Sequence, residues 1–137
     1  IERLVRLKLS PVNIEHAIHL YPSQLSGGML KRAALARAIA MDPLLLFCDE
    51  PGAGLDPVSL ASLDALIKNL QSQLGMTVVL VTHEVETIRR LADRIIFLEE
   101  GKMLYEGSYR DALRAGISPI DAFFSKDKET EADHSAG

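Results

Sequence analysis

The sequence predicts an α/β fold with a mainly parallel sheet, flanking helices and a β-hairpin toward the C-terminus. Two apolar runs, Leu44 to Cys48 and Thr77 to Val81, lack the alternation of a half-exposed strand and read as strands covered on both faces. Between them one long helical pattern places Leu60, Leu63, Ile67, Leu70 and Leu74 on a single stripe. Strand, helix, strand is a βαβ unit, for which a right-handed crossover is expected.

The other elements follow in chain order. Leu4, Val5 and Leu7 among charged residues predict a short amphipathic helix, and "PVNIEHAIHLYP" a second one bounded by Pro11 and Pro22. Ser26 then caps an Ala-rich helix, "MLKRAALARAIA", that is expected to run up to Pro43. The long helix is capped by Asp56, starts at Pro57 and stops at Gly75. "EVETIRRLAD" carries acids early and arginines late, which complements a helix dipole. "RIIFLEEGKMLYEG" reads as a hairpin turning at Glu100-Gly101, and Ser108-x-x-Asp111 and Ser118-Pro119-x-Asp121 as starts of two short helices. The polar stretch 125–137 has almost nothing to bury and is expected to be disordered.

Bulk properties narrow the function. A chain of 137 residues suits one domain or one piece of a larger one, and 47% apolar with 25% charged residues is ordinary for a folded protein. A net charge of −4 with scattered basic residues argues against a nucleic-acid surface. The single cysteine, Cys48, sits inside an apolar run, where a small buried hydrophobe is expected, and the lack of a disulfide framework fits a reducing compartment. No apolar run approaches the roughly 20 residues that span a bilayer, so a membrane would matter through a partner. The chain begins at Ile1, already in helical rhythm, and reads as cut from something longer.

Three features carry chemistry. Asp49 and Glu50 stand side by side at the carboxyl end of the first strand, where open α/β sheets bind ligands. Asp is a hard oxygen donor suited to Mg²⁺, and a neighbouring Glu can orient or deprotonate a water. His83 falls at the carboxyl end of the second strand, on the same rim. Finally "LSGGM", Leu25 to Met29, puts two glycines after a capping Ser at a helix N-terminus, a ready anion site with close backbone approach.

Together these motifs resemble the C-terminal part of an ABC transporter ATP-binding subunit, a P-loop NTPase. "LSGGM" resembles the ABC signature, "LLLFCDE" the Walker B strand with its following Glu, Gly54 to Asp56 the D-loop and His83 the switch histidine, in the family's order over roughly residues 20 to 107. The resemblance implies that Asp49 engages Mg²⁺, Glu50 activates the hydrolytic water, His83 contacts the γ-phosphate and Asp56 communicates across a dimer. Ser26, Gly27 and Gly28, led into by Leu25, would bind the γ-phosphate of ATP held by the opposite subunit of a head-to-tail pair. The implied partners are a second ATP-binding subunit and transmembrane permease subunits, with no nucleic acid, on the cytoplasmic face of the inner membrane as a peripheral protein.

The resemblance divides the chain into the end of a helical subdomain over 1–43, the second half of a nucleotide-binding core over 44–124 and the tail 125–137. Met29 stands where the signature usually has Gln, and Gly52-Ala53-Gly54 where Thr-Ser-Gly is more common. "LSGGM" with "KRAALARAIA" leans toward the subgroup serving bacterial lipid asymmetry and solvent resistance, which moves phospholipids. No G-x-x-x-x-G-K-[S/T] loop occurs among the nine glycines, so the chain alone is expected not to turn over ATP. Its incomplete sheet is expected to self-associate or dissolve poorly. Two alternatives stay open: a non-transport ABC ATPase of DNA repair or translation, and a non-catalytic module that supplies the signature in trans.

Overall fold

The computed structural model describes residues 1–125. The expected disorder of 125–137 lies outside the described residues except at Ser125, which closes a helical run over 118–125 and donates its hydroxyl to the Ala122 carbonyl oxygen at 3.2 Å. The chain divides into two compact units, Ile1–His83 and the part from Glu84 onward.

The first unit opens with α1 (Glu2–Leu9), which buries none of its residues and carries a Glu2–Arg6 ion pair one turn apart. The second helix expected between Pro11 and Pro22 does not form. Three short 3₁₀ turns take its place, Ser10–Val12, Glu15–Ala17 and Pro22–Gln24. Asn13 interrupts the stretch near its start: it adopts the left-handed region at φ 58°, ψ 41°, which Asn tolerates but a right-handed helix cannot pass through. Helix α2 (Gly27–Ala38) starts as expected, with Ser26 Oγ accepting from the Met29 N–H at 3.3 Å. It stops at Ala38, five residues before Pro43, with Ile39 as its C-cap at φ −92°, ψ 3°. Asp42, next to Pro43, sits at φ 52°, and Lys8 ion-pairs with it at 2.6 Å.

Strands β1 (Leu45–Asp49) and β2 (Thr77–Val81) pair in parallel, in register from Leu45↔Thr77 to Asp49↔Val81. β1 thus lies one residue later than expected and takes in Asp49. The crossover is α3 (Pro57–Leu74), and both its ends are written locally. Asp56 Oδ1 accepts from the Val58 and Ser59 N–H groups, each at 3.0 Å, and Gly75 ends the helix at φ 63°, where a side chain would be strained. Its buried stripe holds Leu60, Leu63, Leu66, Ile67 and Leu70, with Asp64 buried among them; Leu74, expected on the stripe, is exposed.

The expectation of strands covered on both faces is corrected. One face of the β1–β2 pair is buried or half-buried through Leu46, Cys48, Val78 and Leu80, and burial pushes the Cys48 thiol pKa up. The other exposes Leu45, Phe47, Val79 and Val81, with Phe47 71% exposed against 5% for Leu46. A single crossover helix covers one face of a two-stranded sheet, so the apolar run is only half used among the described residues.

In the second unit, α4 (Val85–Leu91) precedes an antiparallel hairpin of β3 (Ile95–Glu99) and β4 (Lys102–Gly107), followed by α5 (Tyr109–Ala112) and the helical run 118–125, α6. Glu100 at φ 48° and Gly101 at φ 73° form the two-residue turn, whose doubly positive φ matches the twist of the strands. Val85, Ala112, Ile120 and Phe124 form its core, with Phe123 edge-on to Phe97 at 5.5 Å. Ser108 caps α5 as expected, accepting from the Asp111 N–H at 3.1 Å. Ser118 does not cap α6: the Ile117 carbonyl accepts from both Ile120 and Asp121, so the helix starts one residue earlier. Among the described residues no helix is long and apolar enough to cross a membrane.

Candidate functional site

Parallel pairing brings the carboxyl ends of β1 and β2 to one edge, and the residues just past those ends build the site. The Glu50 N–H donates to the Val81 carbonyl at 2.8 Å, extending the ladder by one step, and the Glu50 carbonyl accepts from Ala53 at 3.1 Å to close a turn. Glu50 pays for this turn with φ 44°, uncommon for a residue with a side chain. Its carboxylate is met by three donors. Oε1 accepts from the His83 backbone N–H at 3.0 Å and lies 2.7 Å from His83 Nδ1; Oε2 accepts from the Thr82 hydroxyl at 3.2 Å. A carboxylate can only accept, so the pair fixes the His83 proton on Nδ1.

Two residues picked from the sequence, Glu50 and His83, are therefore in direct contact. Asp49 is exposed, on the strand face that also carries Leu45 and Phe47. Among the described residues no group of three His, Cys, Asp or Glu side chains could hold a metal by itself. One carboxylate is nevertheless a fitting protein share for Mg²⁺, which keeps waters and takes its other ligands from phosphate oxygens.

The residues that resemble the signature lie at the start of α2. Leu25 is half-buried at the end of the Pro22–Gln24 turn, and Ser26 spends its hydroxyl oxygen on the cap. A Cβ built on Gly27 would come 3.9 Å from Leu55 Cδ2, and one on Gly28 would meet nothing within 4 Å. Packing therefore does not demand glycine at 28; a side chain there would fill open space beside the first-turn N–H groups, which lack helical acceptors. Gly28 also lines a cleft of about 230 Å³ with Arg32, Val58, Ser59, Ser62 and Leu63. Asp56 is engaged in capping α3. Hydrogen bonds from Ser59, side chain then backbone, hold its carboxyl below the usual range.

Sequence reasoning passed over two residues. Arg32 donates to the Val12 carbonyl at 3.0 Å and to the Ser62 hydroxyl at 2.8 Å, tying α2 to the turn after α1 and to α3. It is one of three basic residues in the Ala-rich stretch, with Lys31 and Arg37, and nothing in the sequence sets it apart. Thr82 was visible beside His83, but its bond to Glu50 depends on strand register.

Known proteins of one kind resemble this chain. Residues 3–53 match the family model described as ABC transporter. The chain is 43% identical to the intermembrane phospholipid transport system ATP-binding protein MlaF of Haemophilus influenzae, over 84% of this chain and 44% of that protein. It is 41% identical to the methionine import ATP-binding protein MetN of Haemophilus ducreyi, over 79% of this chain and 31% of that one. Among solved structures, cbiO1 of Clostridium perfringens, part of the ABC transporter complex cbiONQ, superposes with a TM-score of 0.76 at 30% identity, covering 82% of this chain and 45% of that one. The chain spans less than half the length of each of these relatives. Motif order, strand topology and these likenesses converge on the ATP-binding domain of ABC transporters, whose α/β fold this chain shares.

Proposed function

We propose that this chain supplies the hydrolytic carboxylates, the switch histidine and the signature helix of a subunit that couples MgATP hydrolysis to transport. The observation that carries this reading is the Glu50 carboxylate, held by Thr82 and His83 one residue past the exposed Asp49. Glu50 would take the proton of the attacking water, and His83 would contact the γ-phosphate. Asp49 is the residue that would hold Mg²⁺, which when bound neutralises charge developing on the phosphoryl oxygens. Ser26, Gly27 and Gly28 would offer first-turn N–H groups to a nucleotide bound by a second subunit, with Asp56 near that interface; the open space at Gly28 supports this. Residues 1–43 then end a helical subdomain and 44–124 form the second half of the core.

The 137 residues hold no G-x-x-x-x-G-K-[S/T] loop, so the cradle for the β- and γ-phosphates comes from elsewhere in the assembly. The partners are a second ATP-binding subunit and membrane permease subunits, at the cytoplasmic face of the inner membrane. For the cargo we favour phospholipid, supported by the likeness to MlaF; the likeness to MetN makes methionine the competitor.

A chimera tests both levels. The matched segment of H. influenzae MlaF, and separately of H. ducreyi MetN, is replaced by this chain. ATPase activity in a folded chimera, lost in Glu50→Gln, is expected; a folded but inactive chimera refutes the catalytic reading. Restored phospholipid transport by the first supports the cargo assignment, and restored methionine import by the second alone overturns it. The isolated chain is expected to be inactive, so Mg²⁺-dependent activity abolished by Glu50→Gln in the isolated chain would contradict the missing cradle.

A further inference from the structure

We infer that Thr82 is a positioning residue for Glu50, an inference that rests on reading Glu50 as the group that handles water. The register leads to it directly. The last ladder pair is Asp49↔Val81, so one step on Glu50 stands across from Thr82, on the side of the sheet opposite to the exposed Val81. From there the Thr82 hydroxyl reaches Glu50 Oε2 at 3.2 Å.

The division of donors gives this bond its meaning. A carboxylate offers about four acceptor positions, two on each oxygen. Oε1 takes the His83 backbone N–H and the ring Nδ1, which fills it. Oε2 takes Thr82 alone and keeps one position open. Oε2 is therefore the oxygen that would face a water, and the Thr82 hydroxyl fixes where its remaining lone pair points. With His83 alone, both donors hold Oε1, and the carboxylate plane keeps a rotation about that oxygen as the side-chain torsions adjust together, the last of them broad with little preference of its own. The Thr82 bond holds the second oxygen and stops that rotation.

Amide hydrogen exchange in the 137-residue chain, without nucleotide, tests this. Thr82→Val keeps the β-branched shape and removes the donor, whereas Thr82→Ser keeps the donor. In Thr82→Val the His83 amide, whose acceptor is Glu50 Oε1, is expected to exchange about tenfold faster, the scale of one charge-assisted hydrogen bond. The β2 ladder amides should be unchanged, and Thr82→Ser should restore protection at His83. Unchanged His83 exchange in Thr82→Val overturns the inference. So does equal acceleration along all of β2, which marks Thr82 as a strand support only. If Thr82→Val does not fold, a crystal structure of the unsubstituted chain decides: Thr82 Oγ1 within hydrogen-bond distance of Glu50 upholds the inference, and Thr82 turned away with Glu50 still on His83 overturns it. Because no nucleotide enters, failure here leaves the ATPase reading standing, and an inactive chimera leaves the exchange result standing.

Discussion

Replacing Gly28 by Ala should make the protein more stable and less able to work. Gly28 is the second residue of α2 and has no positive φ, so Ala can adopt its backbone conformation. A Cβ there meets no atom within 4 Å, so no clash offsets the gain. Gly→Ala at a compatible position stabilises by about 0.4–1 kcal/mol, chiefly by narrowing the unfolded ensemble. For a chain of this size that corresponds to a rise in Tm of roughly 2–4 °C. The same methyl fills the space through which a phosphate would approach the first-turn N–H groups. Loss of such donors costs on the order of 100-fold in turnover. Thermal unfolding followed by circular dichroism measures the first effect on the chain, and steady-state ATPase of the MlaF chimera the second. A lower Tm refutes the claim that the site is sterically open. A higher Tm with undiminished turnover refutes the claim that glycine is there for a ligand.

Two further outcomes follow from the geometry. Asp56 titrates below its ordinary value of 3.8, so its capping contribution is fully present above that value and is lost as pH falls through the lower folded one. Helicity at 222 nm should decline below pH 3.8 in part through this cap; Asp56→Asn, an equally good cap that does not titrate, should remove that component, and identical acid transitions would refute the assignment. The open face of Leu45, Phe47, Val79 and Val81 should drive the isolated chain to associate, and Phe47→Glu with Val79→Lys should shift it toward monomer in sedimentation. A monomeric profile of the unsubstituted chain at high concentration would count against it.

What could be read in advance depended on how local its cause was. Helix α3 was readable because Asp56, Pro57 and Gly75 each act within a residue or two, and the hairpin because Glu100-Gly101 is itself the turn. The stretch 10–24 misled because its composition suits a helix while one residue, Asn13, turns left-handed and breaks it. The apolar runs announced strands correctly but could not say which layers cover them. In the site, Glu50 and His83 were legible as the ends of parallel neighbours. Thr82 needed the register, and the acceptors of Arg32 lie 20 and 30 residues away.

The adjacency of Asp49 and Glu50 follows from the geometry of one strand end. Successive strand residues face opposite sides, so neighbours cannot share an environment. Asp49 stays on the exposed face, where a hydrated cation and phosphate oxygens could reach it. Glu50, one residue on, leaves the strand through a left-handed turn that costs on the order of 1–2 kcal/mol for a non-glycine. Backbone bonds to Val81 and Ala53 and three donors on the carboxylate offset that cost. Glycine would relieve the strain at this turn, so keeping Glu there is informative. On the proposed reading the strain sets the second carboxylate at a fixed angle to the first, one for metal and one for water, and the residue that secures the angle is the threonine across the ladder.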